Sequence, residues 1–251
     1  MKVLFKYLIV AIIILGLIAP LFNLYAQELN EVYDGLKTLK ENSDLPADER
    51  ERKEAAARKE ALLKILDLSL AEAQDLISDL KALELSTEEQ QEWRDYLIYV
   101  LQTHREYYEK FKKELAADVS IANSRLLAKG FLIWRKNSYN KNIPLIANFI
   151  LIFNEQKILR VANARLEKIN SDLDRLEKTD LLDKREFEQF LRDAEADLQN
   201  AWALNQKAER SFFDGENAGD IKLLAQASLK EIKNAYTQFL EISKKVRQLL
   251  K

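Results

Sequence analysis

His104 is the only histidine in 251 residues, and the chain has no cysteine. A lone imidazole can act as a general base or as a pH-sensitive contact. Here it falls on an apolar helical seam between Val100 and Tyr107, where the plain expectation is a packed histidine with one hydrogen bond. A di-iron site in a helical bundle needs two Glu-x-x-His elements, and Leu101 stands three residues before His104. Zinc sites of three histidines, or of histidine with cysteine, are excluded by count. The absence of cysteine also removes disulfides, thiol catalysis and lipid attachment through an N-terminal cysteine.

Residues 214–220, DGENAGD, offer Asp214, Glu216, Asn217 and Asp220 as oxygen ligands. Their spacing is not that of a twelve-residue EF-hand loop ending in glutamate. Acids and glycines also make turns, and a turn is what we expect here. None of the 41 acidic residues stands out as half of an acid/base pair. There is no glycine-rich phosphate loop and no nucleophile elbow. We therefore expect neither enzyme activity, nor a cofactor, nor a bound metal.

The aromatic residues remain. Trp93, Tyr96, Tyr99, Tyr107, Tyr108 and Phe111 lie on one helix, more than a single seam buries. Tyrosine and tryptophan are favoured at interfaces. The candidate interaction surface is accordingly Trp93, Tyr96, Tyr99, His104, Tyr107, Tyr108, Trp134 and Tyr139. Asn205 sits on another seam between alanines. Buried, it fixes register or oligomeric state; exposed, it is an ordinary surface asparagine.

The elements that must position these groups are helical. Proline and glycine are scarce, with 3 and 5 residues, which disfavours folds built from many tight turns. With 32% charged and 47% hydrophobic residues the chain can bury a core. The expected class is all-α: long antiparallel amphipathic helices forming a helical bundle or coiled-coil hairpins. Outside residues 1–26 there are 41 acids and 37 bases, no electrostatic footprint for nucleic acid.

Residues 1–26 carry Lys2 and Lys6, a continuous apolar run over 7–19, Pro20 and a small residue at Ala26. That layout predicts a secretory signal peptide. Leu24 departs from the usual small residue, so an uncleaved anchor through residues 3–22 remains the second reading, its basic end in the cytoplasm. Either route places the protein outside the cytoplasm, secreted, periplasmic or at the cell surface. The rest, residues 27–251, reads as a helical bundle with a candidate subdivision near 130–143.

A short helix over residues 28–42 (Leu29, Val32, Tyr33, Leu36, Leu39) precedes a turn at Pro46. A long helix follows to about Glu84, charged at first and then seamed by Leu62, Leu66, Ser69, Ala73, Leu76, Leu80 and Leu83. Ser86 with Glu89 reads as a capping box. The next seam is Trp93, Leu97, Val100, His104, Tyr107, Phe111, Leu115, Val119, Ala122 and Leu126, whose repeated four-residue steps imply a stutter. Gly130 either ends that helix or lies within it, and residues 135–142, RKNSYNKN, are expected to form a loop.

Pro144 then opens a helix through the apolar run IPLIANFILIF, residues 143–153. At eleven residues the run is too short to span a bilayer, and we expect a buried bundle helix. Its stripe runs Leu145, Phe149, Ile152, Gln156, Leu159, Ala162, Leu166. Asp183 with Glu186 is a second capping pair, and Leu182 with Phe187 a hydrophobic staple. Two seams of unbroken four–three alternation follow: Phe187, Leu191, Ala194, Leu198, Ala201, Asn205, Ala208, Phe212, then Ala225, Ser228, Ile232, Ala235, Phe239, Ile242, Val246, Leu249.

The expected role is structural, scaffolding or protein-binding, through a protein partner or self-association. The alternative is an apolar-ligand or lipid-binding module lined by residues 143–153 and the aromatic helix.

Overall fold

The computed structural model describes residues 46–117 and 121–250, and all regular structure among them is helical. The expected leader or anchor and the short helix over 28–42 lie outside the described residues. In chain order the helices are α1 (Ala47–Lys81), α2 (Glu88–Ala117), α3 (Ile121–Trp134), α4 (Asn140–Glu177), α5 (Glu188–Phe213) and α6 (Ala218–Leu249). A π-helical turn, Arg135–Tyr139, joins α3 to α4, and a 3-10 turn, Lys184–Phe187, leads into α5.

The described residues form two compact units. One takes those up to Leu76 together with Tyr99–Asn137; the other takes Ile77–Ile98 together with those from Ser138 onward. In the first unit α1 and α2 run antiparallel. Lys59 Nζ reaches the Ala116 carbonyl at 3.0 Å, Lys112 pairs with Asp67, and Arg105 donates to Gln74 at 2.6 Å.

The α2 core line differs from the one read in the sequence. Leu97, Leu101, His104, Tyr108, Phe111 and Leu115 are buried, whereas Val100 and Tyr107 are only half-buried. That set keeps the four–three alternation, so through Leu115 the expected stutter is absent. Leu126, placed on the same seam by the sequence, is exposed.

Residues 135–142 are helical, not a loop. Lys136, Asn137, Asn140 and Lys141 face solvent as polar residues on any helix do, while Tyr139 is buried. Arg135 turns towards α1, donating to Ser69 Oγ at 3.1 Å and lying 3.6 Å from Glu72. Gly130 and Pro144 are therefore inside helical segments and do not bound them. Pro144 lacks an N–H, and a proline ring inside a helix crowds the carbonyl four residues back, here that of Asn140. The wide π turn ends one residue before that carbonyl.

The second unit is built on α4, α5 and α6, folded up, down and up. Phe149 meets Phe212 and Glu155 meets Asn205, so α5 returns along α4. Asn148 meets Ala218 and Arg165 lies over Tyr236, so α6 runs parallel to α4. One core layer gathers Leu159, Ala162, Ala194, Leu198, Ala201, Ile232, Ala235 and Phe239. Another, at the end where α4 hands over to α5, gathers Leu173, Phe187 and Ile242. Leu182 packs on this layer with Phe187, as the staple expected. The α5 and α6 seams follow the sequence reading closely; only Leu191, Val246 and Leu249 are less than buried.

The caps are partly displaced. At α2 the box is Thr87 with Gln90, one residue beyond the expected Ser86 and Glu89. Thr87 Oγ1 accepts from the Gln90 N–H at 3.2 Å, and Gln90 Oε1 accepts from the N–H groups of Thr87 and Ser86 at 3.3 and 2.8 Å. Asp183 caps by accepting from the Arg185 N–H at 3.0 Å, while Glu186 pairs with Lys245 at 2.9 Å. The expected turn over 214–220 is shorter: residues 214–217 make it, with Gly215 at φ +73 and Asn217 as the cap, while 218–220 already belong to α6. Of the apolar run, Ile146, Phe149, Ile150, Ile152 and Phe153 are buried. No helix among the described residues is long and apolar enough to cross a membrane.

The revised α2 line separates adjacent residues. Leu101→Ala should destabilise by about 2–5 kcal/mol and Val100→Ala by clearly less, measured by urea denaturation. Equal losses would restore the seam through Val100 and Tyr107.

Candidate functional site

In the first unit the aromatic residues form a stack, not an open surface. Helix α2 supplies His104, Tyr107, Tyr108 and Phe111 at three- and four-residue spacing, and α3 supplies Phe131 and Trp134. Trp134 is the hub. Tyr107 stacks on it at 3.9 Å and 12°, His104 meets it edge-on at 5.1 Å, and Tyr108 meets it edge-on at 5.2 Å. Phe131 closes the stack against Tyr108 and Phe111 at 5.8 and 5.3 Å.

Such edge-on and offset contacts stabilise beyond the area they bury. Burial lowers the His104 pKa and so keeps its imidazole neutral at neutral pH. Burial raises the phenols of Tyr107 and Tyr108.

Tyr99, in the same unit, is more than half exposed. The other nominated residues belong to the second unit. Trp93 packs on Phe212 at 5.3 Å and Phe213 at 6.4 Å, and Tyr96 stands edge-on to it at 5.7 Å while remaining more than half exposed. Tyr139 is buried. Of the eight nominated residues, then, His104, Tyr108 and Tyr139 are core residues, Trp93, Tyr107 and Trp134 are half-buried, and Tyr96 and Tyr99 face solvent.

A second constellation was not foreseen. Glu155 on α4 and Asn205 on α5 are both fully buried. Asn205 Nδ2 donates to the Ile152 carbonyl at 3.0 Å and to Glu155 Oε2 at 3.1 Å. From α6, Ser228 Oγ donates to the Ala201 carbonyl at 3.0 Å and also lies against Glu155. Burial pushes the Glu155 carboxyl up to about 8, only partly offset by hydrogen bonds with Asn205 and Ser228.

The polar layer extends outward through Gln156. Gln156 Nε2 donates to Glu209 at 2.8 Å, and the capping residue Gln90 donates to the other Glu209 oxygen at 2.7 Å. Asn205 was legible as a seam residue. Glu155 was not, because the stripe could be drawn through Gln156 as easily; its signal is the three–four spacing from Ile152 to Leu159.

No family profile, curated protein or solved structure matches the chain. Among the described residues no three histidine, cysteine or acidic side chains are grouped to hold a metal ion.

A buried neutral histidine makes the first unit acid-sensitive. With its folded pKa depressed, the stability it contributes is present above the ordinary value of 6.5 and is lost as pH falls through the folded pKa. Relative to His104→Gln, the wild-type chain should lose up to about 1.4 kcal/mol per pH unit in that window. Urea denaturation from neutral to acid pH checks this; parallel curves for the two proteins would refute it.

Proposed function

We propose that this chain is an exported helical-bundle protein with a scaffolding or protein-binding role in the cell envelope or extracellular space. It acts through a protein partner or through self-association, and it is not an enzyme. The leader-like residues 1–26 support export, with residues 3–22 as the membrane tether if the leader is retained.

The observation that carries the binding role is α3. Its fourteen residues, IANSRLLAKGFLIW, include only two charges, Arg125 and Lys129. A helix apolar on all sides is ordinarily buried on all sides. Yet Leu126, Leu132 and Ile133 are 70%, 63% and 52% exposed, while Phe131 and Trp134 on the other side fill the aromatic stack. Leu126 and Ile133 lie seven residues apart on one face, and open space surrounds Gly130 between them. An apolar face of this kind marks a contact surface. The exposed Tyr99 of the same unit is a further residue suited to an interface.

The apolar-ligand alternative is weaker because residues 143–153 pack on protein. Phe149 meets Phe153 at 4.6 Å and Phe212 at 5.3 Å.

Crosslinking with mass spectrometry on the native envelope should place crosslinks to a protein, or to a second copy, on Lys129 and its neighbours. Leu126→Lys with Ile133→Lys should cut those crosslinks several-fold while leaving the melting temperature nearly unchanged, since exposed sites contribute little to stability. Crosslinks that survive the double substitution, or a bound small molecule with no protein contact, would overturn this reading.

A further inference from the structure

Two buried oxygens in the second unit lack partners. They are Glu155 Oε1 and Asn205 Oδ1, and they belong to residues already joined through Asn205 Nδ2 and Glu155 Oε2. As a carboxylate, Glu155 offers acceptors only, and two acceptors cannot satisfy each other. One proton on Glu155 Oε1 changes this. The carboxyl becomes a donor as well as an acceptor, and the asparagine carboxamide offers the complementary acceptor and donor. Both hydrogens of Asn205 Nδ2 are then used, one on Glu155 and one on the Ile152 carbonyl.

We propose that Glu155 and Asn205 form a proton-held clasp between α4 and α5, closed while Glu155 is a neutral carboxylic acid and released when it ionises. Ionisation puts an unpaired charge where no solvent reaches, and the fold answers by opening at this level. The helices on either side are poised to respond. Asn205 grips the α4 backbone at Ile152, and Ser228 of α6 grips the α5 backbone at Ala201.

No titrating or charged neighbour competes for the role. On α4, Lys157 and Arg160 point out to Glu84, at 3.0 Å each. On α5 the acid of the layer is Glu209, held by Gln156 and Gln90, and Lys207 is exposed. On α6 the charged residues flanking Ser228 are Lys230, exposed, and Glu231, half-buried. The groups that act on Glu155 are Asn205 and Ser228, neither of which ionises in this range. Glutamine at 155 can keep both halves of the pairing without a titrating proton, so Glu155→Gln should act as a permanently closed clasp.

The test is a carbon-13 NMR titration of the glutamate side-chain carboxyls in the full chain, with amide hydrogen exchange followed over the same pH range. One carboxyl, absent from Glu155→Gln, should titrate near 8 while the others titrate in the ordinary range. Protection of amides around Ile152, Ala201 and Asn205, corrected for intrinsic exchange, should fall with that titration in the wild-type chain and stay flat in Glu155→Gln. A Glu155 that titrates with the other glutamates overturns the proposal. So does amide protection that varies with pH identically in both proteins. The first measurement is made on the wild-type chain and stands even if the substituted protein fails to fold.

Discussion

A carboxyl group fully enclosed by three helices sets the terms for the second unit. Ionised and unpaired, it would cost several kcal/mol. Neutral and hydrogen-bonded, it is far cheaper to bury. Its burial and its protonation are therefore one condition, and the helices around it must supply the partners. Asn205 does so from α5, and Ser228 of α6 lies close by with its hydroxyl hydrogen on the Ala201 carbonyl. Around them α5 carries alanine at every seventh position, Ala194, Ala201 and Ala208, all buried. Small residues at that interval let neighbouring helices come close enough for side chains to bond backbone carbonyls, as Ser228 does at Ala201. An apolar seam tolerates sliding by a heptad; a seam with one obligatory polar pairing does not.

The first unit also buries a titratable side chain, His104. His104 occupies a heptad position on α2 and meets Trp134 edge-on, the ring on which Tyr107 and Tyr108 also pack. Burial favours the neutral imidazole. The two units consequently lean in opposite directions with pH. The histidine withdraws stability as pH falls below 6.5, and the glutamate withdraws it as pH rises from the ordinary carboxylate value towards 8. Between pH 6.5 and 8 both groups are mainly in their uncharged forms.

Much of this architecture was legible in the sequence where the four–three alternation was unambiguous. The seams of α5 and α6 each present one apolar or small residue per turn and little else that competes. On α2 two registers overlap, because Val100 and Tyr107 adjoin Leu101 and Tyr108, all apolar or aromatic, and the sequence pattern does not choose between the pairs. Residues 135–142 were misread because polarity and three asparagines mimic a loop. What holds them helical is Arg135 reaching Ser69 and Glu72, and the burial of Tyr139, none of which local composition reveals. Glu155 was hidden for the reason that makes it consequential. Carboxylates belong on surfaces, and Gln156 offered a blander residue in nearly the same phase. The aromatic surface split for a related reason: residue type says that tryptophan and tyrosine favour interfaces, but a core between α2 and α3 satisfies them equally well.

In the proposed clasp, a proton on Glu155, shared with Asn205, closes the second unit. A neutron structure of the deuterated protein at neutral pH tests it most directly. We expect a deuteron on the Glu155 carboxyl, with the Asn205 amide deuterons directed to Glu155 and to the Ile152 carbonyl. A bare carboxylate at that position, neutralised by a cation or hydrated by water, would contradict it.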